Sequence, residues 1–166
     1  DDNSMVYGTY SQGYKGPAFN VFYNVAENDT LPIGAETSDA YELGYKYASQ
    51  DLIFNAAIFR TEIDGFQANN PELLDGVFIT RLTNAGSIIT EGAELDFMWQ
   101  ATEDFTLTGG LSTVTAEVDQ FLCPVGLDTC DGSSGDDLPF SPDLKYSVSG
   151  EYVWDLDDMQ VYLNGS

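Results

Sequence analysis

The sequence predicts an all-β fold: an antiparallel, up-and-down transmembrane β-barrel segment of about seven strands. Three observations carry that prediction. Apolar and polar residues alternate with period two along several stretches, as in strands with one oily and one wet face. The connections between these stretches alternate between long and short. The aromatic residues gather beside the short turns, on the oily faces. One stretch shows the alternation plainly: Ala93, Leu95, Phe97 and Trp99 fall on one side, Gly92, Glu94, Asp96 and Met98 on the other.

Met5 to Gln12 forms the first strand, with Val6, Gly8 and Tyr10 facing one way. Gly13-Tyr14-Lys15-Gly16-Pro17 breaks it, and an irregular stretch runs to about Ser38. Asp39 to Ser49 is the second strand, with Tyr41, Leu43, Tyr45 and Tyr47 opposite Glu42, Gly44 and Lys46. Ser49-Gln50-Asp51 turns tightly into a third strand, Leu52 to Gln67. Its middle is apolar on both sides, so its facing stays open. Asn69-Asn70-Pro71 opens a loop to about Gly76, and a long fourth strand runs from Val77 to Gln100. After a short turn at Thr102–Asp104, Phe105 to Val118 is the fifth strand. A long loop then reaches about Asp143. The sixth strand, Leu144 to Trp154, sets Tyr146, Val148, Tyr152 and Trp154 against Lys145, Ser147, Ser149 and Glu151. Asp155-Leu156-Asp157-Asp158 leads to a seventh strand at Met159.

Short turns near Gln50, Glu103 and Asp157 recur at near-equal spacing, with long connections between them. Outer-membrane barrels have short periplasmic turns and long extracellular loops. Tyr47, Phe54, Trp99, Phe105 and Trp154 lie beside the short turns, where amphipathic rings would form a girdle at a membrane–water interface. A soluble sandwich, the competing fold, would place its aromatics mainly in mid-strand. In a wide barrel Glu42, Lys46, Glu94, Asp96, Lys145 and Glu151 would face the lumen.

Composition removes several function classes. The chain has 166 residues and a net charge of -23, with Lys15, Lys46, Arg60, Arg81 and Lys145 its only basic side chains. A nucleic-acid surface needs clustered Lys and Arg, so nucleic acid is not an expected partner. There is no apolar run of about 18 residues to form a transmembrane helix. Both ends look cut, and residues 1–166 are expected to be part of one barrel domain in a longer protein. With no His, neither a Ser-His-Asp nor a Cys-His arrangement is possible. No enzyme activity and no cofactor are expected. Glu94 and Asp96 could suggest a carboxylate pair for glycoside chemistry, but charges facing a wet lumen explain them more simply.

Cys123 and Cys130 flank part of an Asp/Gly-rich loop and read as a disulfide in an oxidising compartment, with two free thiols as the alternative. The same loop holds Asp128, Asp131, Asp136 and Asp137, which could wrap calcium. It lacks the spacing and terminal Glu of an EF-hand, so no metal site is assigned and a solvated loop is preferred.

Five segments resemble one known family. Tyr14-Lys15-Gly16-Pro17-Ala18-Phe19-Asn20 resembles the GYK-G-FN segment of TonB-dependent outer-membrane receptors. Ala40–Lys46 resembles their YELGxK strand, and Leu52–Phe59 their L-x-x-NAAxF strand. Asn84-Ala85-Gly86 with Gly92–Leu95 resembles NAG…GxExE. Leu138–Pro142 resembles the P-x-x-P that precedes a late strand. The motifs come in the family's order and cover nearly the whole chain.

The resemblance implies a barrel of about 22 strands, of which this chain would supply about a third. It implies a location in the bacterial outer membrane and contact with its lipid. It also implies a plug domain, absent here, which the lumen-facing charges would meet and through which the TonB complex would act. The imported nutrient would be scarce, a ferric siderophore or other iron complex. Such anionic ligands suit cations and amphipathic rings, which makes Tyr14, Lys15, Phe78 and Arg81 the expected ligand contacts; local charge balance is the alternative role for Lys15 and Arg81. A passive porin and a secreted β-sandwich binding module are the competing functions.

Overall fold

The structure, a computed structural model, describes residues 3–20, 32–74, 77–122, 134–138, 142–156 and 159–166. These hold β1 (Ser4–Lys15), β2 (Glu36–Ala48), β3 (Leu52–Asp64), β4 (Gln67–Leu74), β5 (Val77–Asn84), β6 (Gly86–Gln100), β7 (Phe105–Phe121), β8 (Leu144–Leu156) and β9 (Met159–Gly165). Seven of them form one sheet in the order β1-β2-β3-β6-β7-β8-β9, while β4 and β5 make a separate two-stranded ribbon. Every pairing is antiparallel. The all-β up-and-down prediction therefore holds.

The tight turns have local causes. Ser49 N donates to Leu52 O at 2.8 Å, and Ser49 Oγ accepts from Leu52 N at 3.1 Å. At the next turn Thr102 and Phe105 exchange backbone bonds of 3.3 and 3.4 Å, and Thr102 Oγ1 caps Asp104 N at 3.3 Å. Ser and Thr suit such places because the hydroxyl replaces a backbone partner. The third turn, at Asp157-Asp158, lies outside the described residues.

Three expectations about strands are corrected. The first strand is not broken at Gly13 but runs on to Lys15, paired with Glu36. The supposed loop from Asn69 is strand β4, and the supposed strand Val77–Gln100 is two strands, β5 and β6, broken at Ala85. The break has a backbone cause. Phe66 N donates to Gly86 O at 2.8 Å and Ala85 N to Phe66 O at 2.7 Å, which pinches the chain into a neck. Gly65 (φ 67°) and Gly86 (φ 122°) sit in the neck, in backbone conformations that L side chains rarely adopt. Space is also missing there. A Cβ on Gly65 would come within 2.6 Å of Ala35 O, and one on Gly86 would overlap Gln120 O.

Among the described residues the only buried apolar side chains are Ile33, Ile88 and Ala116, and none of the large side chains is fully buried. A soluble sandwich buries one whole face of each sheet against the other. Here Val6, Ile58, Tyr146 and Val148 are each more than half exposed. A single sheet whose oily face nothing among the described residues covers needs another apolar medium, and lipid provides one.

Candidate functional site

Directly paired residues of neighbouring strands share a face. One set of cross-strand rows reads Val6-Tyr45-Ala56-Leu95-Leu111-Tyr146, then Tyr47-Phe54-Phe97-Gly109-Val148, then Leu43-Ile58-Ala93-Thr113-Leu144. Trp99, Leu107, Phe105, Tyr152 and Trp154 continue this face toward the short turns. The first charges on it are Arg60 and Glu91, which pair in register. Arg60 bridges Glu62 at 2.8 Å and Glu91 at 2.7 Å. Leu52 to Arg60, and Trp99 to Glu91, are each eight residue steps apart. That is about 27 Å along a strand, or about 20 Å of height at a tilt of about 40°, close to the ~25 Å apolar band of an outer-membrane barrel. Rings pack on this face: Tyr152–Trp154 at 4.5 Å, Tyr10–Tyr41 at 5.1 Å, and Tyr45–Phe54 at 6.4 Å between centroids.

The alternate rows are polar. Tyr7-Gly44-Ala57-Glu94-Ser112-Lys145 form one, and Lys46-Asn55-Asp96-Gly110-Ser147 the next. Glu42 lies one row to one side, opposite Phe59, and Glu151 two rows to the other, opposite Thr106. All six charged residues expected to share a face thus stand on one face. The Tyr7 ring lies so closely over Gly44 that a Cβ there would overlap it. Its hydroxyl donates to Glu42 Oε1 at 2.6 Å, and Lys46 Nζ sits 5.4 Å from the ring centroid. Such a cation–π contact is worth about 0.5–1 kcal/mol at an exposed site. Asn55 Nδ2 donates to Asp96 Oδ1 at 3.1 Å, and Ser112 Oγ to Glu94 Oε1 at 3.3 Å. An open recess of about 610 Å³ runs along these rows, lined by Tyr7, Glu42, Lys46, Asn55, Glu94, Asp96, Ser112 and Lys145 among others. Carboxylates, two ammonium groups and hydroxyls in this arrangement offer ion pairing and hydrogen bonding.

At the end of the sheet away from the short turns, the chain builds a polar rim. Tyr14 is 73% exposed at the end of β1, and Lys15 pairs with Glu36 at 3.6 Å. Phe78, 83% exposed, and Arg81, half-buried, lie on β5. Asn20 Nδ2 donates to Leu82 O at 2.9 Å while its Oδ1 accepts from Leu82 N at 2.8 Å. Gln67 Nε2 donates to both Gly16 O and Gly34 O at 3.0 Å. The β1 end and the β4–β5 ribbon, which carry the four expected ligand contacts, are thereby joined. Asp136 O accepts from Val118 N at 2.9 Å, and Asp137 forms a β-bridge with Glu117. Cys123, Cys130, Asp128 and Asp131 lie outside the described residues. Among those described, no group of three or more His, Cys, Asp or Glu could hold a metal ion.

Comparison with known proteins agrees with this architecture. The family model described as TonB dependent receptor-like, beta-barrel, matches residues 1–166. The chain belongs to the TonB-dependent receptor β-barrel family. Members are outer-membrane proteins of Gram-negative bacteria, and family and fold are those of transport receptors rather than enzymes. The chain is 36% identical over 100 residues to the pesticin receptors of Yersinia enterocolitica and Yersinia pestis, a match covering 60% of this chain and 14% of theirs. Among solved structures it resembles the ferric yersiniabactin uptake receptor FyuA from Yersinia pestis, with a TM-score of 0.72 and 26% identity over 99% of this chain and 23% of that one. The siderophore receptor PiuA from Acinetobacter baumannii shares the fold, with a TM-score of 0.66 at 21% identity over 92% of this chain and 22% of that one. The chain therefore spans a small part of the receptors it matches.

Sequence reasoning did not single out Gln67, Asn20, Asn84 or Glu36 as structural partners. Asn20 and Asn84 stand inside the family-like motifs, which was a usable signal. Gln67 had none, because its partners Gly16 and Gly34 are remote in sequence.

Proposed function

We propose that this receptor barrel imports an iron complex of the ferric siderophore type, with the apolar face toward lipid and the polar face lining the lumen. The observation that carries the reading is the likeness, at 26% identity over nearly the whole chain, to a structure described as a ferric yersiniabactin uptake receptor. Glu42, Lys46, Glu94, Asp96, Lys145 and Glu151 would meet water or a plug domain in the lumen. The plug would lie outside this chain and would couple transport to the TonB complex. Residues 1–166 act in this reading as one part of a single barrel domain.

Tyr14, Lys15, Phe78 and Arg81 are the proposed ligand contacts. Two are cations, two are rings, and the rim bonds bring their segments together. A charge-assisted hydrogen bond is worth about 1.5–3 kcal/mol, so losing both cations should weaken binding by at least about tenfold. The test is uptake of radiolabelled iron, offered as a panel of ferric siderophores, by cells carrying the full receptor with Lys15→Ala and Arg81→Ala together. Uptake and affinity equal to wild type would remove these two residues from the ligand site. No uptake of any iron complex by the unmodified receptor would remove the substrate class.

A further inference from the structure

We infer that Asn20, Gln67 and Asn84 form a clasp that makes residues 16–20, residues 33–36 and the β4–β5 ribbon one mechanical body at the barrel rim. Four chain segments far apart in sequence meet at these three amides. Asn20 pairs with both backbone groups of Leu82, as a neighbouring strand would. Asn84 accepts from Gly34 N at 2.7 Å and donates to Gly34 O at 3.0 Å and Gly65 O at 2.6 Å. Gln67 donates to Gly16 O and Gly34 O, and its own N–H reaches Glu36 Oε2 at 2.8 Å. A primary amide carries donors and an acceptor together, so it can substitute for a backbone partner on either side.

The burial is unequal in a telling way. Gln67, at 6% exposed, is the buried polar side chain among the described residues, and Ile33 at 8% lies beside the Gly34 it binds. Among the described residues few side chains are buried, and two of them, Gln67 and Ile33, meet at this junction. The neck below it has no room for side chains, since a Cβ on Gly65 or Gly86 would meet Ala35 O or Gln120 O. The ribbon cannot tilt without breaking the amide bonds to Gly16, Gly34 and Leu82. Lys15 enters the same body through Glu36, which also receives Gln67 N. A ligand pressing on either rim segment therefore loads both. That consequence for capture rests on the function proposed above, whereas the clasp rests on the bonds alone.

Hydrogen exchange of the full receptor in lipid nanodiscs tests the clasp without any ligand. Gln67→Glu and Asn84→Asp keep the side-chain shape but turn amide donors into acceptors facing carbonyl oxygens. Each is expected to raise exchange by roughly tenfold or more in two places at once, residues 16–20 and residues 82–84. Peptides over Ala93–Trp99 should stay protected, which reports an intact barrel. Faster exchange only in the peptide bearing the substitution, or in neither, would overturn the proposal. If those variants do not assemble, Asn20→Asp keeps the Leu82 N–H bond, loses only the donation to Leu82 O, and must still loosen both segments. Normal exchange coupling with absent iron uptake would count against the functional reading and leave the clasp standing.

Discussion

Leu95→Arg is expected to destabilise the barrel by about 2–4 kcal/mol, the cost of a cation on the lipid face at the bilayer midplane. Leu95 stands in the row Val6-Tyr45-Ala56-Leu95-Leu111-Tyr146. Along β6 it lies midway between Trp99, next to the short turn, and Glu91, the first charge on that face. Snorkelling would have to carry the guanidinium about 10 Å in either direction, which is beyond the ordinary reach of the side chain from mid-band. Ser112→Arg makes the control. It follows Leu111, the partner of Leu95, but stands on the polar face between Glu94 and Lys145, where a new cation meets a carboxylate and water. It should change stability by no more than about 0.5 kcal/mol. Urea titration of the receptor folded into lipid vesicles reads both. A larger loss for Ser112→Arg would mean that the faces have been assigned the wrong way round, and equal losses that neither meets lipid.

The second large effect is at the neck. Gly86→Val should cost about 3 kcal/mol or more, through backbone strain and overlap combined. Its φ of 122° disfavours any side chain, and a β-branched one most. A Cβ would overlap Gln120 O and come within 3.2 Å of Leu122 N, and both groups are backbone and cannot swing aside. Relief would have to come from sliding β6 against β7, close to where their register already shifts at Ser87/Ile88. Gly16→Ala provides the contrast, since a Cβ there meets nothing within 4 Å. It should lie within about 0.5 kcal/mol of wild type. The yield of heat-modifiable barrel in outer-membrane fractions, together with the urea midpoint, checks the pair; a wild-type midpoint for Gly86→Val would mean that the neck adapts.

Much of the sheet was legible in the residues because its information is local. Along β6 and β8 the side chains alternate so regularly that a one-residue slip would turn every oily group to the wrong face. Tight turns at Ser49–Asp51 and Thr102–Asp104 announce themselves through hydroxyls that cap their own backbone. The ribbon was misread for the opposite reason. Its apolar residues run on through Asn84-Ala85-Gly86 into β6, and no local rule says that a two-residue neck closes there. Asn69-Asn70-Pro71 looks like a loop, yet Asn70 and Pro71 lie in β4 opposite Arg81 and Thr80. Proline is tolerated because β4 has a partner on one side only.

Strand identity outside the β4–β5 ribbon, the alternation of long and short connections and the membership of the chain in its family were thus determined by the sequence alone. Period-two patterning, turn chemistry and short motifs are all properties of neighbouring residues. Only the tertiary structure decided which way β3 faces, since it is oily on both sides. Pairing with β6 puts Leu52, Phe54, Ala56 and Ile58 beside Trp99, Phe97, Leu95 and Ala93, and Asn55 beside Asp96. Only the tertiary structure, too, brought Gly16, Gly34, Gln67 and Asn84 to one junction. Those bonds depend on where separate segments come to rest, and a rest position is set by the whole sheet rather than by the residues on either side.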